Sequence, residues 1–414
     1  MPGLVDTHRH VCQGAIGGTA GKASLGGYFG TVIAGLAPHY EPDDVYAGVL
    51  WGALQGAQRR RHEHRRLVAH RHHAEHADAN IQALHDSGIR GSFLYGPPLA
   101  AGLVEWVVDS RLPHPNDARR VRNEHFASGR NGRLTMGLAL RGPELSSRET
   151  TKHDFDLARD LDLPISIHCG LAGYARRYRT VETLHGLRLL GPDVNYAHAN
   201  LLTDDEDRLI AASGGSISPC PSIDMLMAIG TYPATGRALQ HGITTGLSVD
   251  TIAVTGTDLF TEMRIALAAE RSRANAAAVA RDESVAEVEL DQRDMLRLAT
   301  LDAARAWHLD ATTGSVSVGK QADVVVIDTT RPHLQPLNAP VTSIVMNAGP
   351  SDFDTVIVEG EVVKTRGALV GPHAARAREL IAASHHRLTA NPQGVGAAAS
   401  HGMAKFTTKP GGAA

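Results

Sequence analysis

The run Asp6-Thr-His8-Arg-His10 follows a short apolar stretch and carries two imidazoles two residues apart. On a strand, side chains two apart share one face. His8 and His10 can therefore aim at one point past the strand's C-terminal end, although a lone His-x-His fits a surface turn equally well. Three more groups stand in the same kind of place. His168 ends Pro-Ile-Ser-Ile-His, His198 ends Val-Asn-Tyr-Ala-His, and Asp250 ends Gly-Leu-Ser-Val-Asp. One histidine capping a buried strand is ordinarily a satisfied core residue, and one aspartate there is ordinarily a helix N-cap. Recurrence after successive apolar runs favours chemistry instead. Four imidazoles and a carboxylate suit a borderline divalent metal such as zinc.

The elements that must position them alternate. Apolar runs at 3–6, 89–95, 134–140, 164–168, 194–198, 216–218 and 245–249 read as strands. Amphipathic stretches at 43–55, 74–87, 147–161, 182–190, 204–212, 234–241 and 258–271 read as helices. This alternation is the mark of βαβ units and a parallel sheet. Strands short and apolar enough to be buried on both faces favour an α/β fold of the closed (β/α)8 type, the TIM barrel, over an open sheet. One strand is missing, between Gln55 and Ala74. The barrel is expected over 1–312. A small flanking β-sandwich module is expected over 313–375, with strands near 319–328, 342–346 and 355–364. Residues 376–414 continue a helix begun near 374 and end in a Gly/Ala/Ser-rich tail expected to be mobile from 391.

Composition removes other classes. The chain has 414 residues, a net charge of −3 and 43% hydrophobic residues. That balance gives no reason to expect nucleic acid or an anionic membrane as partner. No apolar run is long enough to span a bilayer, and the N-terminal residues do not read as a secretory signal. Three scattered cysteines, Cys12, Cys169 and Cys220, argue against a disulfide framework and for a reducing cytoplasm. A small-molecule substrate is expected, and a homo-oligomer is compatible with the sequence.

The order His-x-His, His, His, Asp on successive strands resembles the metal-dependent amidohydrolase superfamily, and within it the cytosine deaminase and triazine hydrolase branch. A remote region agrees in order: A-T-L-D-A-A-R-A-W-H at 299–308, G-S-V-S-V-G-K-Q-A-D at 314–323 and D-T-V-I-V-E-G at 354–360. The resemblance covers roughly residues 2–375. It implies one divalent metal ion, Zn2+ first and Fe2+ second, held by His8, His10, His168 and Asp250. His198 would polarise the substrate. Binuclear relatives bridge two metals with a lysine or glutamate at the fourth strand. Here that strand lacks lysine and Glu144 lies past its end, which favours a single ion. A bound metal lowers the pKa of water towards about 7. Asp250 would take the water's proton, and the reaction would be hydrolysis of a carbon–nitrogen bond other than a peptide bond. Deamination, or amide or amidine cleavage, of a small cyclic substrate follows. The rivals are a dechlorinating triazine-type hydrolase on the same site and a decayed, non-catalytic copy.

Two features depart from the resemblance. The branch carries a glutamate shortly after the fifth-strand histidine, whereas His168 is followed by Cys-Gly-Leu-Ala-Gly-Tyr. Asp224 or Glu144 is expected to replace it as proton donor, Asp224 first, with Gln13 lining the same pocket as a neutral hydrogen-bonding group. The second departure is 57–73, where arginine and histidine crowd together. It could be a nucleic-acid patch, a metal-binding tract or a solvated loop, but a frameshift accounts for it better. The chain has six lysines among 41 basic residues, which points to GC-rich codons. A second frame of codons 56–73 can read A-L-N-A-G-V-T-S-T-V-D-W-S-H-I-V-T, which continues the helix, turns and supplies the missing strand. As written, the segment is not expected to behave as a native barrel strand, but to be irregular, poorly packed or forced into the strand slot with unsatisfied charges. The family also has strands before the one containing Asp6, so the start is expected to be misplaced or truncated, with sandwich edges left exposed.

Overall fold

A computed structural model describes residues 1–59, 62–66, 74–98, 103–127, 132–256, 258–285 and 287–390. Eight parallel strands pair in sequence order: β1 (Val5–Arg9), β2 (His62–Arg66), β3 (Gly91–Tyr95), β4 (Leu134–Leu140), β5 (Ile165–Cys169), β6 (Val194–His198), β7 (Ser216–Ser218) and β8 (Thr244–Thr245). The chain after β8 then returns to β1. Thr7 N donates to Leu247 O at 3.3 Å, Asp250 N to His8 O at 3.1 Å, and His10 N to Asp250 O at 2.8 Å. These bonds close the (β/α)8 barrel. Every residue of β3, β4 and β6 is buried, as a sheet covered by helices requires.

Of the outcomes expected for 57–73, the one observed is occupation of the strand slot by the backbone. His62 pairs with Val5 on one side, and Glu63 with Gly91 on the other. Ladder bonds are made by peptide groups, so a slot between two strands can be filled whatever the side chains. The side chains of 57–73, on which the frameshift reading turns, lie outside the described residues, as does the tail from 391.

The antiparallel module comprises β9 (Val324–Ile327), β10 (Phe353–Val358), β11 (Glu361–Thr365) and β12 (Ala368–Leu369). Met1 and Pro2 run along the β9 edge, with Met1 and Val325 exchanging backbone bonds of 2.9 Å. The strand expected at 342–346 is instead part of a helix, Pro340–Asn347. Proline suits the first turn of a helix. Val341, Ile344 and Val345 recur at helical spacing and pack on the core around Phe260, Leu334 and Phe353.

Two further helices matter for the site. α1 (Leu25–Tyr28) leads directly into a π-helical stretch, Phe29–Leu36, and α2 (Pro42–Arg59) lies against residues 11–14. Gly48 of α2 allows that approach: a Cβ there would lie 2.2 Å from Cys12 O. The C-terminal helix, His373–Thr389, clasps α2 through Ser384 Oγ, which donates to Asp44 Oδ1 at 2.7 Å.

Candidate metal centre and its cavity

His8 and His10 leave β1 on its inward face, while Thr7 and Arg9 point the other way. Thr7 faces the outer layer, where its carbonyl accepts from Trp307 Nε1 at 3.1 Å. His168 lies on β5, His198 ends β6, and Asp250 follows β8. All five stand at the C-terminal ends of parallel strands, the face on which such barrels build their sites.

They converge. His8, His168, His198 and Asp250 each offer a donor atom, and these atoms all lie within 4.8 Å of one another. His8 Nε2 is 3.3 Å and His10 Nε2 is 3.0 Å from Asp250 Oδ1. The His10 ring centroid lies 5.1 Å from that of His8 and 5.7 Å from that of His168. Two ligands bonded at tetrahedral angles to one zinc would stand roughly 3.4 Å apart. The sequence reading set His198 apart from the ligands and His10 among them. The structure puts His198 inside the tightest group of four and His10 beside it.

The donors fit a cation. Nδ1 of His8 and Nδ1 of His10 are buried with no hydrogen-bond partner, and the Nε2 atoms of both rings crowd one oxygen, Asp250 Oδ1. Unpaired buried polar atoms are costly unless something else satisfies them. Burial lowers the His8 pKa to about 3 against the opposing pull of Asp250, so this imidazole is neutral with a lone pair to give. Burial alone would raise the Asp250 pKa. The neighbouring His10, with His8 and His198, overcomes that and holds it well below the usual carboxylate range. Two of the donors occupy strained backbone: φ is +67° at His198 and +58° at Asp250, a region that non-glycine residues seldom adopt.

The cavity in front of these donors encloses about 690 Å³, its open mouth included. His10, His168, His198 and Asp250 border it, and so do Tyr28 and Arg141. The rest of its lining is apolar, including Phe29, Leu171 and Met227. Leu171 occupies the wall just past His168, within the stretch Cys-Gly-Leu-Ala-Gly-Tyr that carries no carboxylate.

Neither expected replacement borders that cavity. Asp224 is fully buried behind His198. Its Oδ1 is 2.8 Å from His198 Nδ1, and its Oδ2 accepts from Cys220 N at 3.0 Å. Burial raises its pKa against the pull of His198. Glu144 turns under the loop after β5, where its Oε1 accepts from Gly170 N at 2.7 Å and from Thr180 Oγ1 at 2.9 Å. Burial raises its pKa to about 7. Gln13 stands one layer back, donating through Nε2 to Tyr28 Oη at 2.6 Å. Each carboxyl is drawn to backbone N–H groups that need an acceptor, which linear spacing could not reveal.

Arg141 and Tyr28 went unread in the sequence. Arg141 directly follows β4, the same strand-end position as the histidines, so a signal existed. Its guanidinium is locked: Nη1 donates to Ser110 Oγ at 2.7 Å, Nη2 to Asp154 Oδ2 at 2.8 Å, and its carbon lies 4.9 Å above the Trp106 ring. Tyr28 sits in a glycine-rich stretch without periodicity and gave none.

A sequence profile described as the amidohydrolase family matches residues 1–363. A 5′-deoxyadenosine deaminase from Methanothermobacter thermautotrophicus is 28% identical over 377 residues, 89% of this chain and 82% of that protein. Two solved structures share the fold. One is an adenosine deaminase from Xanthomonas campestris with bound zinc, with a TM-score of 0.77 and 22% identity, covering 94% of this chain and 86% of that one. The other is an atrazine chlorohydrolase from Arthrobacter aurescens complexed with zinc, with a TM-score of 0.77 and 20% identity, covering 93% and 88%. Among the described residues, no helix is long and apolar enough to cross a membrane.

Proposed function

The chain belongs to the amidohydrolase family and is a metal-dependent hydrolase of carbon–nitrogen bonds other than peptide bonds, and from that premise we propose hydrolytic deamination of a small aminated heterocycle at a single zinc ion. Net, the substrate's C–NH2 and water become a carbonyl and ammonia. The observation that carries the reading is the convergence of four imidazoles and Asp250 at the C-terminal mouth of the barrel.

His8, His10, His168 and Asp250 would hold the ion. His198 would face the substrate, its ring fixed by Asp224. When bound, the metal supplies water made acidic enough to give hydroxide near neutral pH. Asp250 takes the proton of the attacking water. His198 Nε2, on the ring edge away from Asp224, keeps a lone pair towards the cavity and accepts from the substrate's amine or the attacking water. The apolar walls keep bulk water from competing with these contacts. Asp224 acts on His198 and Glu144 on the Gly170 loop, so both are positioning residues. The proposed setting is the cytoplasm, with a small-molecule substrate and neither nucleic acid nor membrane as partner. The three free, buried cysteines agree with it.

Leu171 in the wall favours one second reading, loss of a leaving group that needs no proton, such as chloride from a triazine. The test is to load the protein with Zn2+ or Fe2+, count metal per chain, and measure ammonia from 5′-deoxyadenosine and chloride from atrazine. Ammonia supports deamination, and chloride alone supports the second reading. Neither, at one metal per chain, leaves the non-catalytic reading.

A further inference from the structure

The cavity has a phenol on its wall that none of the roles above uses. Tyr28 closes α1 where the backbone widens into the π-helical stretch, a device frequent at functional sites. A hydrogen-bond chain runs to it with a fixed direction. The backbone N–H of Ala253 can only donate, and it donates to Thr251 Oγ1 at 3.1 Å. The Thr251 hydroxyl donates in turn to Gln13 Oε1. That sets the orientation of the Gln13 amide, so Nε2 donates to Tyr28 Oη at 2.6 Å. The phenol oxygen therefore accepts, and its own proton remains to be given. The Thr251 hydroxyl also lies beside that phenol. Burial raises the Tyr28 pKa, which keeps the phenol protonated.

We propose that Tyr28 is a substrate-contacting hydrogen-bond donor, its polarity imposed by the Ala253–Thr251–Gln13 chain, and that it serves a nitrogen of the substrate in a site where, among the described residues, Asp250 is the one carboxyl group on the wall. The inference rests on the deamination reading. As the water oxygen bonds to the ring carbon, an electron pair moves onto the adjacent ring nitrogen. Tyr28 stabilises that nitrogen by hydrogen bonding and keeps its own proton. The pair returns as the C–N bond breaks and the amine leaves with the proton taken from water. The ligand class this donor selects is a heterocycle with an amidine unit, a ring nitrogen beside the aminated carbon.

The test uses the zinc-loaded full chain with 5′-deoxyadenosine, cytosine and melamine as probes, reading ammonia, kcat, KM and metal per chain. Tyr28→Phe removes one oxygen. It should lower kcat by about 10²-fold, as loss of one transition-state donor does, with KM and metal content little changed. Gln13→Glu keeps the shape but has no N–H to give, so Tyr28 would turn its proton onto the new carboxylate. It should fall to the same level, and Gln13→Glu with Tyr28→Phe should be no worse than either alone. Tyr28→Phe within about threefold of wild type, or losses that multiply in the double variant, would overturn the role of Tyr28 and leave deamination standing. No ammonia from any probe with the wild-type protein would overturn deamination, and this inference with it.

Discussion

Replacing Asp224 by asparagine should separate a positioning role from a structural one. In the protein its two oxygens serve two donors: His198 Nδ1 at 2.8 Å and Cys220 N at 3.0 Å. Asparagine offers one oxygen and one NH2. The backbone N–H of Cys220 cannot change its character, whereas an imidazole can change tautomer. The asparagine oxygen should therefore go to Cys220, and its NH2 should go to His198. His198 is then left with its proton on Nε2, the side facing the cavity, and its lone pair there is lost. A misdirected partner of this kind typically costs 10–100-fold in activity or affinity. Stability should change little, because both buried bonds survive in altered form. The opposite choice would set NH2 against the Cys220 N–H. That would cost about 1–3 kcal/mol of stability and spare turnover. Ammonia release, metal per chain, urea unfolding and nitrogen NMR of the His198 ring distinguish the two. Wild-type turnover with the proton still on Nδ1 would refute the reasoning.

The proposed ligands should differ from His198 in one respect: His8→Ala and His10→Ala lose the metal on dialysis, while His198→Ala keeps it and loses turnover. Equal metal loss in all three, by atomic absorption, would make His198 a ligand. Gly48→Ala should push α2 off residues 11–14, since the new methyl meets Cys12 O at 2.2 Å. A stability loss of about 1–3 kcal/mol in denaturant unfolding, with weaker metal binding, is expected. Glu144 has a folded pKa of about 7, raised above its ordinary 4.5 by burial, so the folded state holds its proton more tightly than the unfolded state. Its stabilising contribution is full at low pH and is lost as the pH climbs through that interval. Glu144→Gln can keep both bonds to the remaining oxygen, so its stability relative to wild type should rise between pH 5 and pH 8, by up to about 3 kcal/mol. An unchanged difference at the two pH values would argue against a buried, proton-holding carboxyl.

Alternation of apolar runs with helical stretches determined the barrel, because short strands buried on both faces need helices on the outside. The same periodicity placed His8, His10, His168, His198 and Asp250 at strand ends, since two-residue alternation and strand termination are local properties. The helix at Pro340–Asn347 was misjudged as a strand because four or five apolar residues fit either period, and only the core around Phe353 selected one. For the strand His62–Arg66 the gap between Gln55 and Ala74 was legible but the strand itself was not, because its residues have no two-residue apolar period and its slot is imposed by the strands on either side. Which side chain meets the cavity was likewise decided in three dimensions. Asp224 and Glu144 had the right type and chain position to give protons. Yet Cys220 N and Gly170 N, brought near only by the folded loops, draw them behind the wall. Tyr28 reached the wall, and the direction of its proton, through Gln13, Thr251 and Ala253. Gln13 and Thr251 lie 238 residues apart in sequence, and hydrogen-bond polarity has no period to read.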